Sequence, residues 1–198
     1  MFFAKKMIPT GQQIEELWNT YGLPERKRHH CKLVAGVAVF FAGRLANTPD
    51  TPPVNIPLLA AAALLHDLDK MAPKREGEHH PDTGVRILRE HGFSAVADLV
   101  RTHPVHAILD QSIAPKTREQ ELLYLADKMV KDTVITVDKR FALWQEENLP
   151  EEAQRMLASA YPLAKALERK VCEAIGIAPE DLVRLANAME TSTMDVLR

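Results

Sequence analysis

The stretch Leu58-Leu59-Ala60-Ala61-Ala62-Ala63-Leu64-Leu65-His66-Asp67 decides how the chain folds. It is a run of alanine and leucine with no β-branched residue, ending in an imidazole and a carboxylate. Alanine and leucine are strong helix formers, and a segment apolar on every side is a helix buried on every side. Pro57 suits its first turn. The four prolines of Asn47–Pro57 make the preceding segment a loop, and the polar run Asp67–His79, with Pro73, Lys74, Arg75 and Gly77, makes the following one a loop as well. A carboxylate at the end of so apolar a helix must be paired, hydrogen-bonded or metal-bound.

Outward from this helix, apolar residues recur at steps of three and four, and no segment alternates as a strand does. The expected class is all-α, a helical bundle with additional C-terminal helices. Ile14, Leu17, Trp18 and Tyr21 mark a first helix, stopped by Gly22 and Pro24. A second, over 24–46, is apolar nearly all round from Leu33 to Phe41 and is expected at the centre. Further helices are expected over 81–91, over 95–103 with Ser94 as cap, and over 118–130, opened by Thr117 and Gln120 as a capping box. The remainder are expected over 134–145, over 151–175 with a kink or break at Pro162, and over 179–189. The implied layout is an N-terminal helix (1–24), a main domain (25–145) and a helical extension packed on it (146–198).

Composition narrows the function. Of 198 residues, 46% are hydrophobic and 26% charged, and the formal net charge is −2. No global basic field points to nucleic acid or an anionic membrane, so an anionic substrate must be held by a local cluster or a metal. Cys31 and Cys172 form no CxxC pair and read as reduced thiols in apolar helices. Met1–Met7 is too short for a signal peptide, and the longest apolar run, Leu33–Gly43, is about half a membrane span. The expected location is cytoplasmic, without membrane or nucleic-acid partners. A homodimer is compatible with the C-terminal helices.

The histidines and acids carry the chemical signal. His30 shares a helix face with Val34, Val37 and Phe41. His103 shares one with Val96, Leu99 and Val100, and Asp127 lies among Leu123 and Val130. A single inward histidine is usually a hydrogen-bonded core residue, and Asp127 alone is explained by pairing with Lys128. Inward histidines and aspartates on four separate helices are better explained together, because imidazole plus carboxylate is a ligand set for a divalent metal. Positions left to water would give the open site that catalysis requires.

The order His30, His66-Asp67, Asp127 resembles the H…HD…D signature of the HD-domain metal-dependent phosphohydrolase superfamily. The local matches are His30-Cys-Lys-Leu-Val34, Ala62-Ala-Leu-Leu-His-Asp-Leu-Asp-Lys70, His80-Pro-Asp-Thr-Gly84, Val100-Arg-Thr-His103 and Leu125-Ala-Asp-Lys128. They span residues 25 to 132. His29 and His79 compete with their neighbours; the step of four to Val34 and to Gly84 selects His30 and His80. Asp69 departs from the pattern, where glycine or alanine is common. A GYP-type motif is absent, which argues against cyclic di-GMP as substrate.

The resemblance implies two divalent ions, of iron, manganese or another transition metal. One would sit on His30, His66, Asp67 and Asp127, the other on Asp67, His80 and His103, with Asp67 as bridge. His106 is an alternative ligand or a solvent-facing loop histidine, and His91 a surface residue. Asp67 and Lys70 would serve catalysis, with Lys70 also holding a substrate phosphate; Lys74 and Arg75, in the same loop, either hold further phosphates or are solvated loop charge. The implied substrate is a small phosphorylated molecule, a nucleotide. The pattern is similar to small bacterial HD proteins that split dinucleoside polyphosphates and to HD modules beside molybdenum-cofactor nucleotidyltransferases. Two other uses of the fold stay open: oxygenation at a di-iron centre, and a non-catalytic sensor or interaction module.

Overall fold

The computed structural model describes residues 7–46 and 53–188. Among the described residues there are nine α-helices and no strand: α1 (Gly11–Thr20), α2 (Glu25–Leu45), α3 (Ile56–Leu65), α4 (Asp82–Glu90), α5 (Ser94–Val100), α6 (Arg118–Lys128), α7 (Val137–Gln145), α8 (Glu151–Ile175) and α9 (Pro179–Ala188). Short 3-10 turns cover Leu68–Lys70 and Val105–Leu109. The expected all-α class is what the chain adopts.

The alanine-leucine helix α3 is the hub. Every residue from Leu59 to Leu65 is buried, and α3 packs against α2, α5, α6 and α1. Its alanines let neighbouring helices approach closely, while its leucines fill the space between them. The indole N–H of Trp18 on α1 donates to the Leu64 carbonyl at 3.0 Å, satisfying one of the acceptors left open where the helix ends. Asn55 accepts from the Leu58 N–H and starts the same helix. The first part of the proline-rich loop expected at Asn47–Pro57, and the final residue of the helix expected to reach Met189, lie outside the described residues.

Three expectations need correction. Ser94 does not cap α5: it is the first helical residue, and the cap position falls to Phe93, with no side-chain hydrogen bond. The seventh helix starts at Val137 rather than Val134. Val134 instead forms an antiparallel bridge with Val130, which suits the β-branched run Val134-Ile135-Thr136, and Thr136 caps the helix by accepting from the Lys139 N–H. Pro162 does not break α8, which runs as one helix from Glu151 to Ile175; a proline in a long helix removes one hydrogen bond, and packing along the rest retains the helix.

Helix α8 lies against α7, α2, α6 and the turn at Val105–Leu109. Its fully buried Glu168 accepts the N–H of Val137, the first residue of α7, at 3.0 Å. Lys165 neutralises that carboxylate and also reaches Asp138. A buried carboxylate that meets a cation and an otherwise unpaired backbone donor is satisfied on both oxygens. Helix α8 thereby fixes where α7 begins.

Candidate metal centre

The residues at the ends of these helices converge. His30 comes from the first half of α2, His66 follows the last turn of α3, and Asp67 leads into the 3-10 turn. His80 precedes α4, His103 follows α5, and Asp127 lies at the end of α6. The four imidazoles form a row: ring centroids are 5.3 Å apart for His30 and His66, 4.9 Å for His66 and His103, and 4.8 Å for His103 and His80.

Each ring is oriented through Nδ1. In His66 this nitrogen lies 2.7 Å from the Ala63 carbonyl, and in His103 2.6 Å from the Val100 carbonyl. Both contacts reach back three residues to the terminal turn of the preceding helix, whose carbonyls are free. A carbonyl only accepts, so Nδ1 carries the proton and Nε2 the lone pair. The Nδ1–H of His80 donates to Asp69 Oδ1 at 2.8 Å, and that of His30 faces the Lys131 carbonyl at 3.4 Å. All four Nε2 atoms therefore point into the cluster, each offering a lone pair once its ring is neutral.

They meet other acceptors. His30 Nε2 is 3.2 Å from Asp127 Oδ1, and His66 Nε2 is 3.4 Å from the same oxygen and 3.9 Å from Asp67 Oδ2. His80 Nε2 is 3.0 Å from His103 Nε2 and 3.8 Å from Asp67 Oδ1. The Nε2 of His66 is buried and, among the described residues, has no hydrogen-bond partner within bonding geometry. Converging lone pairs and carboxylates repel one another unless a cation or proton lies among them. Three groups have ligand atoms all within 4.8 Å: His30, His66 and Asp67; His66, His103 and Asp127; and Asp67, His80 and His103. An ion bonding at about 2.0–2.3 Å spans ligand atoms up to about 4.6 Å apart, so the residues fit one or two divalent metals after a small contraction. The carbonyl and carboxylate partners on Nδ1 are the outer support that metal-binding histidines require.

Charge within the cluster follows from the same contacts. Burial opposes charging of His66, but neighbouring Cys31, Asp67 and Asp127 outweigh it and raise its pKa well above the usual value. Burial, with the nearby His66 and His80, lowers that of His103. Burial acts upward on Asp67 and Asp127, yet His66, Lys70 and Lys27 around the first, and Lys128, His30 and His66 around the second, hold both carboxyls ionised. Lys27 Nζ lies 2.8 Å from Asp67 Oδ2 and Lys70 Nζ 3.3 Å from Asp67 Oδ1. The buried ammonium of Lys128 meets Asp127 Oδ2. These ammonium groups show that both carboxylates draw cations.

The cluster opens into a cleft of about 470 Å³ lined by Lys27, Lys70, Arg140 and Trp144 among others. Of the expected phosphate-binding residues, Lys70 reaches this cleft. Lys74 and Arg75 do not line it: both are exposed on the loop before α4, and Arg75 pairs with Glu90 at 2.9 Å. His29 is exposed at the cleft edge, and His79 and His106 are exposed as well; none joins a ligand group. Lys27 was legible only as a residue one turn before His30. Asp69 neither faces the cleft nor obstructs it. Its side chain is 1% exposed and orients His80. The Cβ that any other residue would add at Gly84 would lie 3.5 Å from Asp69 Cβ, so α4 packs closely over it.

The loop that delivers His80 is held by Glu78, which binds Arg86 at 2.6 Å, the Thr83 hydroxyl at 2.8 Å and the Arg75 N–H at 2.9 Å. The Arg86 hydrogen bond is foremost in bringing its pKa down to about 2. A depressed carboxyl contributes stability that is complete above its unfolded pKa of about 4.3 and is lost as pH falls through about 2. Glu78→Gln is therefore expected to lower the melting temperature at pH 7 and to flatten its decline between pH 5 and 2. Thermal melts across that range check this, and an unchanged slope would contradict it.

No curated protein and no solved structure matches the chain. The HD domain family matches residues 28–132, a span that starts just before His30 and closes just after Asp127. With that span covering more than half of the sequence, and the six histidines and aspartates of the motif brought together at one cleft, the chain belongs to the HD-domain superfamily of metal-dependent phosphohydrolases.

Proposed function

We propose that the protein hydrolyses a phosphoester or phosphoanhydride bond of a nucleotide with the help of two divalent ions, which would both draw on Asp67 as a ligand. His30, His66 and Asp127 would complete one site, and His80 and His103 the other. Bound there, divalent ions would supply an acidified water as nucleophile and neutralise charge on the phosphoryl oxygens. The protein's own groups do the rest. The Nδ1 contacts to Ala63, Val100 and Asp69 hold the imidazoles in the tautomer that presents a lone pair. Lys27 and Lys70 lean on Asp67 with side chains 41% and 32% exposed, so both can swing to a phosphate oxygen at little cost. Lys128, at 1% exposure, cannot, and serves to keep Asp127 charged.

The observation that carries this reading is the convergence of four imidazole Nε2 atoms on two ionised aspartates beside a basic, water-accessible cleft. A panel of nucleotides and phosphoesters, assayed with manganese, iron or cobalt, tests it. Release of phosphate or of a nucleotide product, abolished by chelation and restored by metal, is expected. A mixed-valent iron centre that consumes oxygen, with no phosphate ester cleaved, would overturn it.

A further inference from the structure

Among the described residues, six cations line the cleft: Arg26, Lys27, Lys70, Lys128, Lys131 and Arg140. Five have carboxylate partners: Arg26 with Asp132, Lys27 and Lys70 with Asp67, Lys128 with Asp127, and Lys131 with Glu147. Arg140 differs. Its Nε and Nη1 are buried and have no hydrogen-bond acceptor among the described residues. A guanidinium cannot shed its proton to relieve such burial, as a lysine can.

Arg140 is also held in place. Its guanidinium lies over the Trp144 ring, 4.1 Å from the centroid and one helical turn further along α7. Trp144 is braced edge-on by Phe141 at 5.1 Å. Helix α7 is pinned at its start by Thr136 and by Glu168 of α8. Stacking engages the flat face of the ion and leaves the N–H edge unused. Each bidentate edge of a guanidinium pairs Nη2 with Nε or with Nη1, so a fork fixed on an aromatic ring with both of those inner groups unpartnered is organised for two parallel hydrogen bonds to a phosphate that reaches Nη2 from the cleft. Lys131 and Arg26 flank it on the same cleft.

We propose that Arg140, stacked on Trp144, binds a second phosphate of the substrate, so that the protein favours compounds with two or more linked phosphates over monophosphates. This rests on the phosphohydrolase reading, in which the reacting phosphate sits at the histidine-aspartate cluster and the next one extends along the cleft to α7. It also gives α8 a role, since Glu168 sets the position of the residue that discriminates.

The test is binding rather than turnover. Manganese-loaded protein is titrated with AMP and with α,β-methylene-ADP at low temperature, with tryptophan fluorescence and calorimetry as readouts. Wild type is expected to bind the diphosphate analogue more tightly, and Trp144→Phe to lose most of the fluorescence change. A charge-assisted hydrogen-bonded contact corresponds to roughly 10–100-fold in affinity. Arg140→Met should therefore weaken the diphosphate analogue by about that factor and AMP by no more than about twofold, with metal content and helical circular dichroism unchanged. Arg140→Lys, which keeps the charge without the fork, should fall between. Equal weakening of both ligands, no weakening of either, or a wild type that does not distinguish them would overturn the proposal. Discrimination that persists in a protein without hydrolytic activity would uphold the subsite and count against the phosphohydrolase reading alone.

Discussion

Asp67→Ala is expected to abolish metal binding and hydrolysis together while leaving the protein folded. Asp67 contributes to two of the three ligand groups and is the residue placed between the two proposed ions. Loss of a mere outer-shell partner costs about 10–100-fold in metal affinity or activity, so removal of a shared ligand should exceed about 100-fold. The fold should survive, because the groups that neutralise Asp67 are not trapped: Lys27 and Lys70 are both partly exposed and turn to water when the carboxylate is gone. Metal analysis after dialysis, an activity assay and far-ultraviolet circular dichroism check the three parts. Two ions still bound, or activity within tenfold of wild type, would contradict the assignment.

Asp127→Ala should behave differently, because its partner is trapped. The Lys128 ammonium is 1% exposed, and besides Asp127 it meets the His103 carbonyl at 2.7 Å and the Tyr124 ring at 4.6 Å. Burial already lowers the Lys128 pKa, and Asp127 is the group that opposes this. Removing one partner of a buried pair costs about 3–5 kcal/mol, since the other charge remains uncompensated. For a chain of this size that lowers the melting temperature by roughly 6–20 °C. Measured in chelator, where metal contributes nothing, Asp127→Ala should melt well below Asp67→Ala. Adding Lys128→Met should recover most of the loss without restoring metal binding. Equal melting of the two single variants would show that burial of Lys128 is not the controlling cost.

Sequence carried the fold class and the cluster for one physical reason. Both are written in side chains whose environment is set by helical period. The alanine-leucine run of α3 has a single way to be buried, and His66-Asp67 at its end must then enter the core region. His30, His103 and Asp127 were visible because each interrupts an otherwise apolar face. Lys74 and Arg75 shared a loop with Lys70 but not its place in the family pattern, and solvated loop charge was the simpler reading. A loop carries no period, and Arg75 is spent on Glu90 and on the Glu78 turn. Asp69 could be read only as a departure from the pattern, because the histidine it supports lies eleven residues away. Arg140 and Trp144 lie outside the motif, and their importance appears only once Glu168, from a helix later in the chain, has set the start of α7.

The most direct test of the metal centre is anomalous diffraction from crystals of manganese- or iron-loaded protein, recorded at the metal edge. The account predicts two peaks within about 2.0–2.3 Å of their ligands: one on His30, His66, Asp67 and Asp127, the other on Asp67, His80 and His103. Fully loaded crystals with no peak among these residues would contradict it.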